Sequence, residues 1–123
     1  MSLDSKENKK RKLVGFTFAW NGLKAVSKAE RNFRIHLMTT LCVCILAAIV
    51  RVSFIEWAVL TLTVSLVLTM ELINSAVERI MDFLSPTWHP LVGEIKDITA
   101  GAVLVTAIAA IIIGCFIFIP YFI

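Results

Sequence analysis

Three long apolar runs in a chain of 123 residues decide what it can fold into. The first extends from about Ile35 to Val50 and the second begins near Phe54, with no charge between Trp57 and Met70. The third runs from Ile98 to about Ile119. With 59% hydrophobic residues and a mean hydropathy of +0.86, the chain lies beyond ordinary soluble domains and takes the bilayer as its solvent. Each run is read as a transmembrane helix, since a lipid-embedded backbone must satisfy its own polar groups. The span 35–50 is short for a hydrocarbon core of ~30 Å and is expected to borrow the helical turn before it. The second span is placed at about 54–78, with Glu56 at its outer end. The third, at about 98–119, is closed by Pro120 and Tyr121. Its small residues Ala100, Gly101, Ala102, Ala107, Ala109, Ala110 and Gly114 suit close approach of another helix.

Charge sets the orientation. The net charge is +3, and nine of the twelve Lys and Arg fall within the first 36 residues. That asymmetry favours a cytoplasmic N-terminus on anionic lipid, and no nucleic-acid partner is expected. Residues 1–9 are polar and uncapped and are expected as a mobile tail, ahead of a single membrane domain over 10–123. Within it, Leu13, Phe16, Trp20, Leu23 and Val26 recur at three- and four-residue steps, predicting an amphipathic interfacial helix over about 10–34. Trp20 and Trp57 suit the headgroup level. Three spans then place the 79–97 loop, with Ser85-Pro86 and His89-Pro90, on the cytoplasmic side. Cys42, Cys44 and Cys115 lie in apolar runs without metal-ligand spacing and are read as small buried hydrophobes. No removable signal peptide is expected.

Chemistry concentrates in Glu71-Leu72-Ile73-Asn74-Ser75-Ala76-Val77-Glu78, at the cytoplasmic end of the second span. Glu71, Asn74, Ser75 and Glu78 fall at i, i+3, i+4 and i+7, on one helical face. The two carboxylates stand roughly 10 Å apart along the axis, which favours two tasks at two depths. A carboxylate at the membrane edge suits general-base work on a lipid hydroxyl. A wetter one suits Mg²⁺, which joins protein carboxylates to nucleotide phosphates. Spacing alone leaves a second reading open, in which Glu71 snorkels or pairs with Arg79 while Asn74 and Ser75 join helices. A proton or cation transporter subunit is the alternative from another class, and a membrane scaffold a third. Gly15, Gly22, Gly93, Gly101 and Gly114 make neither a Walker nor a Rossmann pattern. His36, without a carboxylate or Cys at ligand spacing, is read as a packing or interfacial residue.

Taken with Trp20-Asn21-Gly22-Leu23, Glu30-Arg31-Asn32-Phe33-Arg34 and Lys96-Asp97, this motif resembles the prokaryotic diacylglycerol kinase family over about residues 10–119. The resemblance implies an all-α integral membrane kinase, a homotrimeric bundle of three-span chains with an interfacial helix, in the bacterial cell membrane. It implies Mg²⁺ as cofactor, ATP as co-substrate and a membrane lipid alcohol as acceptor. By resemblance Glu71 is the catalytic base, supported by Asn74, and Glu30 and Glu78 bind the metal. ATP would be held by Arg11, Phe18, Glu30, Glu78, Thr87, Trp88, His89, Lys96 and Asp97, although Phe18 lacks the tyrosine hydroxyl that some relatives carry there. The competing readings are local: Arg11 attracted to anionic lipid, Lys96-Asp97 as an interfacial pair, Glu30 as a solvated residue and His89 as a surface imidazole. The stretch Glu30 to His36 looks like the undecaprenol kinase branch of Gram-positive bacteria, with diacylglycerol kinase as the close alternative.

Overall fold

A computed structural model describes residues 2–123. Among them four helices are present and no strand: α1 (Ser2–Ala29), α2 (Arg31–Val50), α3 (Phe54–Leu84) and α4 (Pro90–Phe122). The last three are long and apolar enough to cross a membrane, so the chain is an all-α, multi-pass membrane protein. Short connections make consecutive spans antiparallel. The start of α2, the end of α3 and the start of α4 therefore gather at one end of the bundle. α3 and α4 form its most extensive interface, with α2 laid against α3.

Several boundaries differ from the sequence expectation. The polar stretch expected as a tail is helical from Ser2. Lys and Glu are good helix formers, Asp4 complements the dipole of the first turn, and Glu7 precedes Lys10 and Arg11 by three and four residues. The interfacial helix does not reach residue 34. It stops at Ala29, and Glu30 takes extended backbone angles (φ −103°, ψ 111°) before α2 restarts at Arg31. With neither Gly nor Pro at this corner, its cause is tertiary. The Arg34 guanidinium reaches back to donate to the carbonyls of Ser27 (3.0 Å) and Lys28 (2.8 Å). Those carbonyls end α1 without helical partners, and a cation there also suits the helix dipole. The restart at Arg31 supplies the turn that the span 35–50 lacked.

α3 runs six residues past the expected 78, and α4 begins at Pro90 rather than 98, so the loop expected over 79–97 shrinks to 85–89. His89 starts α4 by accepting the Leu91 N–H on Nδ1 at 3.1 Å, with Pro90 in the first helical position. Pro120 does not end α4 but sits inside its last turn, where the missing N–H costs one hydrogen bond.

The end away from Glu71 is the tightly fastened one. Ser53 caps α3 in a reciprocal box, donating its N–H to Glu56 Oε2 and accepting the Glu56 N–H. The Tyr121 hydroxyl donates to the same Glu56 carboxylate and ties α4 to α3. Beneath this lies a cluster of Ala47, Val52, Leu60 and Ile117, against which the half-buried Trp57 packs. Arg51 turns the chain with a left-handed φ of 58°. Elsewhere the apolar surface faces outward: Leu13, Phe16 and Trp20 of α1 are exposed, while Val26 is buried where α1 meets the bundle. Cys42, Cys44 and Cys115 are likewise exposed. They are not buried within the chain as expected, because the outer faces of α2 and α4 have no partner helix here.

Candidate active site

Where α1 turns into α2, the polar face of α3 comes inside. Glu71 is 4% exposed and Ser75, one turn further on, 2% exposed. They are the buried polar residues of the described structure, and the expected i, i+4 spacing places them one above the other. The Ser75 hydroxyl donates to Glu30 Oε1 at 3.2 Å, so the half-buried Glu30 is brought from the α1–α2 corner onto the α3 face. Asn74 Oδ1 is buried and has no hydrogen-bond partner. A buried amide oxygen in that condition is unusual in a folded chain.

Charge binds the site into one neighbourhood. Glu30, Glu78 and His36 all act electrostatically on Glu71, and Glu78 also acts on Lys96. His36 Nε2 stands 4.0 Å from Glu71 Oε2. The alternative partner for Glu71, Arg79, is exposed on the surface, and Glu71 is not at a water-facing position. Its carboxylate is held inside the bundle with the His36 imidazole beside it, a position that is costly for an ionised acid in an apolar surrounding.

The remaining expected residues divide into two sets. Lys96 lies at the same end but is engaged: its Nζ donates to Asp82 Oδ1 at 2.6 Å. Thr87, Trp88 and His89 are exposed in and beside the 85–89 loop, and Asp97 is exposed on α4. The Thr87 carbonyl accepts from the Ser85 hydroxyl, and His89 spends Nδ1 on its cap, leaving Nε2 for other use. Arg11 and Phe18 are exposed on α1, about 28 Å and 18 Å of helix axis before Glu30. The structure thus gathers Glu30, Glu71, Asn74, Ser75 and Glu78, keeps Lys96 near, and leaves Arg11 and Phe18 apart within one chain.

Four residues have partners that the sequence does not reveal. His36 has no partner at any local spacing, because Glu71 approaches it from another helix. Asp82 meets Lys96 from fourteen positions away, and Arg34 caps α1 from beyond its end. Ser75 was visible only as a member of the polar face. Its pairing with Glu30 spans 45 positions.

Comparison with known proteins places this arrangement. Residues 17–118 match the prokaryotic diacylglycerol kinase family. An undecaprenol kinase of Bacillus subtilis is 36% identical over 121 residues, covering 96% of this chain and 98% of that protein. A diacylglycerol kinase of Synechocystis sp. is 41% identical over 109 residues, covering 88% of this chain but only 62% of the relative. The diacylglycerol kinase of Escherichia coli is 34% identical over 98 residues, 80% of each chain. With the family match running through α2 and α3 and most of α4 and including Glu30, Glu71 and Glu78, this chain belongs to the prokaryotic diacylglycerol kinase family.

Proposed function

We propose that this chain transfers the γ-phosphate of ATP to the hydroxyl of undecaprenol, giving undecaprenyl phosphate for reuse as a lipid carrier in cell-wall synthesis. The observation that carries the reading is the placement of Glu71: a carboxylate only 4% exposed, inside an apolar bundle, one turn from a serine that holds a second carboxylate. Glu71 would take the proton of the lipid hydroxyl as its oxygen attacks the γ-phosphorus. The new O–P bond forms while the bond to the bridging oxygen of ADP breaks. Such a transfer depends chiefly on positioning and charge stabilisation.

Mg²⁺ fits the donors present. Glu30 and Glu78 would supply oxygen ligands, the type this hard ion prefers, and it commonly takes only one or two carboxylates with phosphate oxygens completing its shell; among the described residues no three His, Cys, Asp or Glu gather as a metal site by themselves. Bound there, it would neutralise the phosphate charge that develops during transfer. Both carboxylates would come from one chain, a reading supported by the Ser75 bond that holds Glu30 against α3. Lys96 would meet phosphate once released from Asp82, and Thr87, Trp88, His89 and Asp97 would form the nucleotide side of the site. Asn74 supports the region beside the base.

A homotrimer would provide partners for what a single chain leaves open. A Cβ built on Gly101 meets nothing within 4 Å, and Arg11 and Phe18, set back along α1, would contribute to the nucleotide site of a neighbouring chain. The protein is placed in the bacterial cell membrane with its N-terminus and the Glu71 end cytoplasmic, which agrees with the cluster of Lys and Arg before residue 36.

Undecaprenol is favoured over diacylglycerol by the nearly end-to-end match to the Bacillus subtilis undecaprenol kinase. The 41% identity to the Synechocystis diacylglycerol kinase keeps diacylglycerol as the second reading. The test is transfer of labelled γ-phosphate to each purified lipid in detergent. The proposal expects undecaprenol to be the better acceptor by kcat/KM. Preference for diacylglycerol would install the second reading, and labelling of neither lipid would remove the kinase assignment.

A further inference from the structure

His36 is the part of this site that no role has yet absorbed. Its Nε2 lies 4.0 Å from Glu71 Oε2, too far for a direct hydrogen bond. An oxygen placed 2.6–2.9 Å from both atoms would subtend about 90–100° between them, open enough to donate to one and accept from the other. One alcohol oxygen meets that condition, giving its proton to the carboxylate and receiving the imidazole N–H. The imidazole also lines one end of a cavity of about 380 Å³ between α2, α3 and α4.

Behind His36 the cavity is hydrocarbon in character, walled by Val43, Leu46, Val64, Val67, Ile111 and Phe118. It also touches Thr39, Thr40 and Thr63, yet each of these hydroxyls donates to the carbonyl four residues earlier, at 2.9, 2.8 and 2.7 Å respectively. Bonded inward in this way, they offer no free donor to a guest. From Ile35 to Leu46 the α2 wall extends about 16 Å. An alcohol whose first carbons carry no polar groups would fit. An ester carbonyl next to the hydroxyl would be stripped of water and left without a donor, which a buried acceptor tolerates poorly.

We infer that His36 is the second grip on the acceptor hydroxyl, opposite Glu71, and that the cavity behind it takes the unfunctionalised hydrocarbon chain of that alcohol. The inference rests on the kinase reading above and adds the element that selects a plain long-chain alcohol. The imidazole holds the hydroxyl oxygen while Glu71 receives its proton. ATP and metal are bound elsewhere in the site.

The test is steady-state transfer to undecaprenol in detergent by full-length His36→Leu, His36→Gln and His36→Asn. Gln keeps an N–H donor at nearly the reach of imidazole, and Asn falls short. Removing the donor is expected to lower kcat/KM for the lipid about 10- to 100-fold with the KM for MgATP unchanged. Gln should retain clearly more than Leu or Asn. If Leu fails to fold, the Gln and Asn pair carries the comparison. The inference is overturned if kcat/KM for the lipid stays within about two-fold of wild type, if all variants are equally impaired, or if the KM for MgATP rises in step. A wild-type chain that labels no lipid alcohol would instead refute the kinase reading, a separate result.

Discussion

Ser75→Ala removes one oxygen whose effect can be worked through from the structure. Ser75 is 2% exposed and its hydroxyl donates to Glu30 Oε1 at 3.2 Å. A hydrogen bond to an ionised group contributes about 1.5–3 kcal/mol, but 3.2 Å is long for a hydroxyl donor, so this one falls just below the lower end of that range. Glu30 is half-buried, and water can replace the lost donor, which keeps the effect on folding stability small. What water cannot supply is direction. A carboxylate has roughly four acceptor positions, so Glu30 can hold Mg²⁺ and still accept from Ser75. The serine then orients the metal ligand rather than competing with the metal. About 1–1.4 kcal/mol of lost orientation corresponds to a five- to ten-fold rise in the Mg²⁺ concentration for half-maximal rate. The assay is phosphate transfer against free Mg²⁺ at saturating ATP and lipid. An unchanged Mg²⁺ midpoint at full kcat, or a tighter one, would refute the reasoning.

Two further outcomes are expected. Asp82→Asn frees Lys96 from its partner at 2.6 Å, so the KM for MgATP should fall by up to about five-fold, more at low salt, since exposed ion pairs are weak and screened. Initial-rate kinetics at two ionic strengths check this, and no change at either would disconnect Lys96 from phosphate. Ala47→Leu adds three carbons to a position with 0% exposure beside Val52, Leu60 and Ile117. It should destabilise the outer end by about 1–3 kcal/mol, visible as a lower thermal midpoint in detergent, with little effect on the KM for either substrate.

The spans were legible in the sequence because a bilayer imposes one solution on a long apolar run. The face carrying Glu71, Asn74, Ser75 and Glu78 followed from helical periodicity alone. The turn at Glu30 was not legible, because nothing local breaks the helix there. Arg34, four residues on, supplies the cap from a different helix. The extent of α4 was underestimated because Lys96 and Asp97 look like loop residues until His89 and Pro90 are recognised as the start of a helix that simply projects beyond the membrane core. His36 reads as a packing or interfacial residue for a related reason. Its partner is 35 positions away, and only the antiparallel packing of α2 on α3 brings the pair together. Residues whose role depends on one helix face were readable, whereas those whose role depends on two helices needed the fold.

The claim beneath all of this is that the Glu71 carboxylate receives the acceptor's proton, and Glu71→Gln, nearly the same shape without the charge, isolates it. Labelled phosphate transfer to lipid and calorimetric MgATP binding should be measured on the same purified protein. Loss of a general base predicts a fall in kcat of about 10²–10⁴-fold with MgATP affinity within about two-fold of wild type. Retention of more than about a tenth of kcat, or loss of MgATP binding in place of transfer, would contradict it.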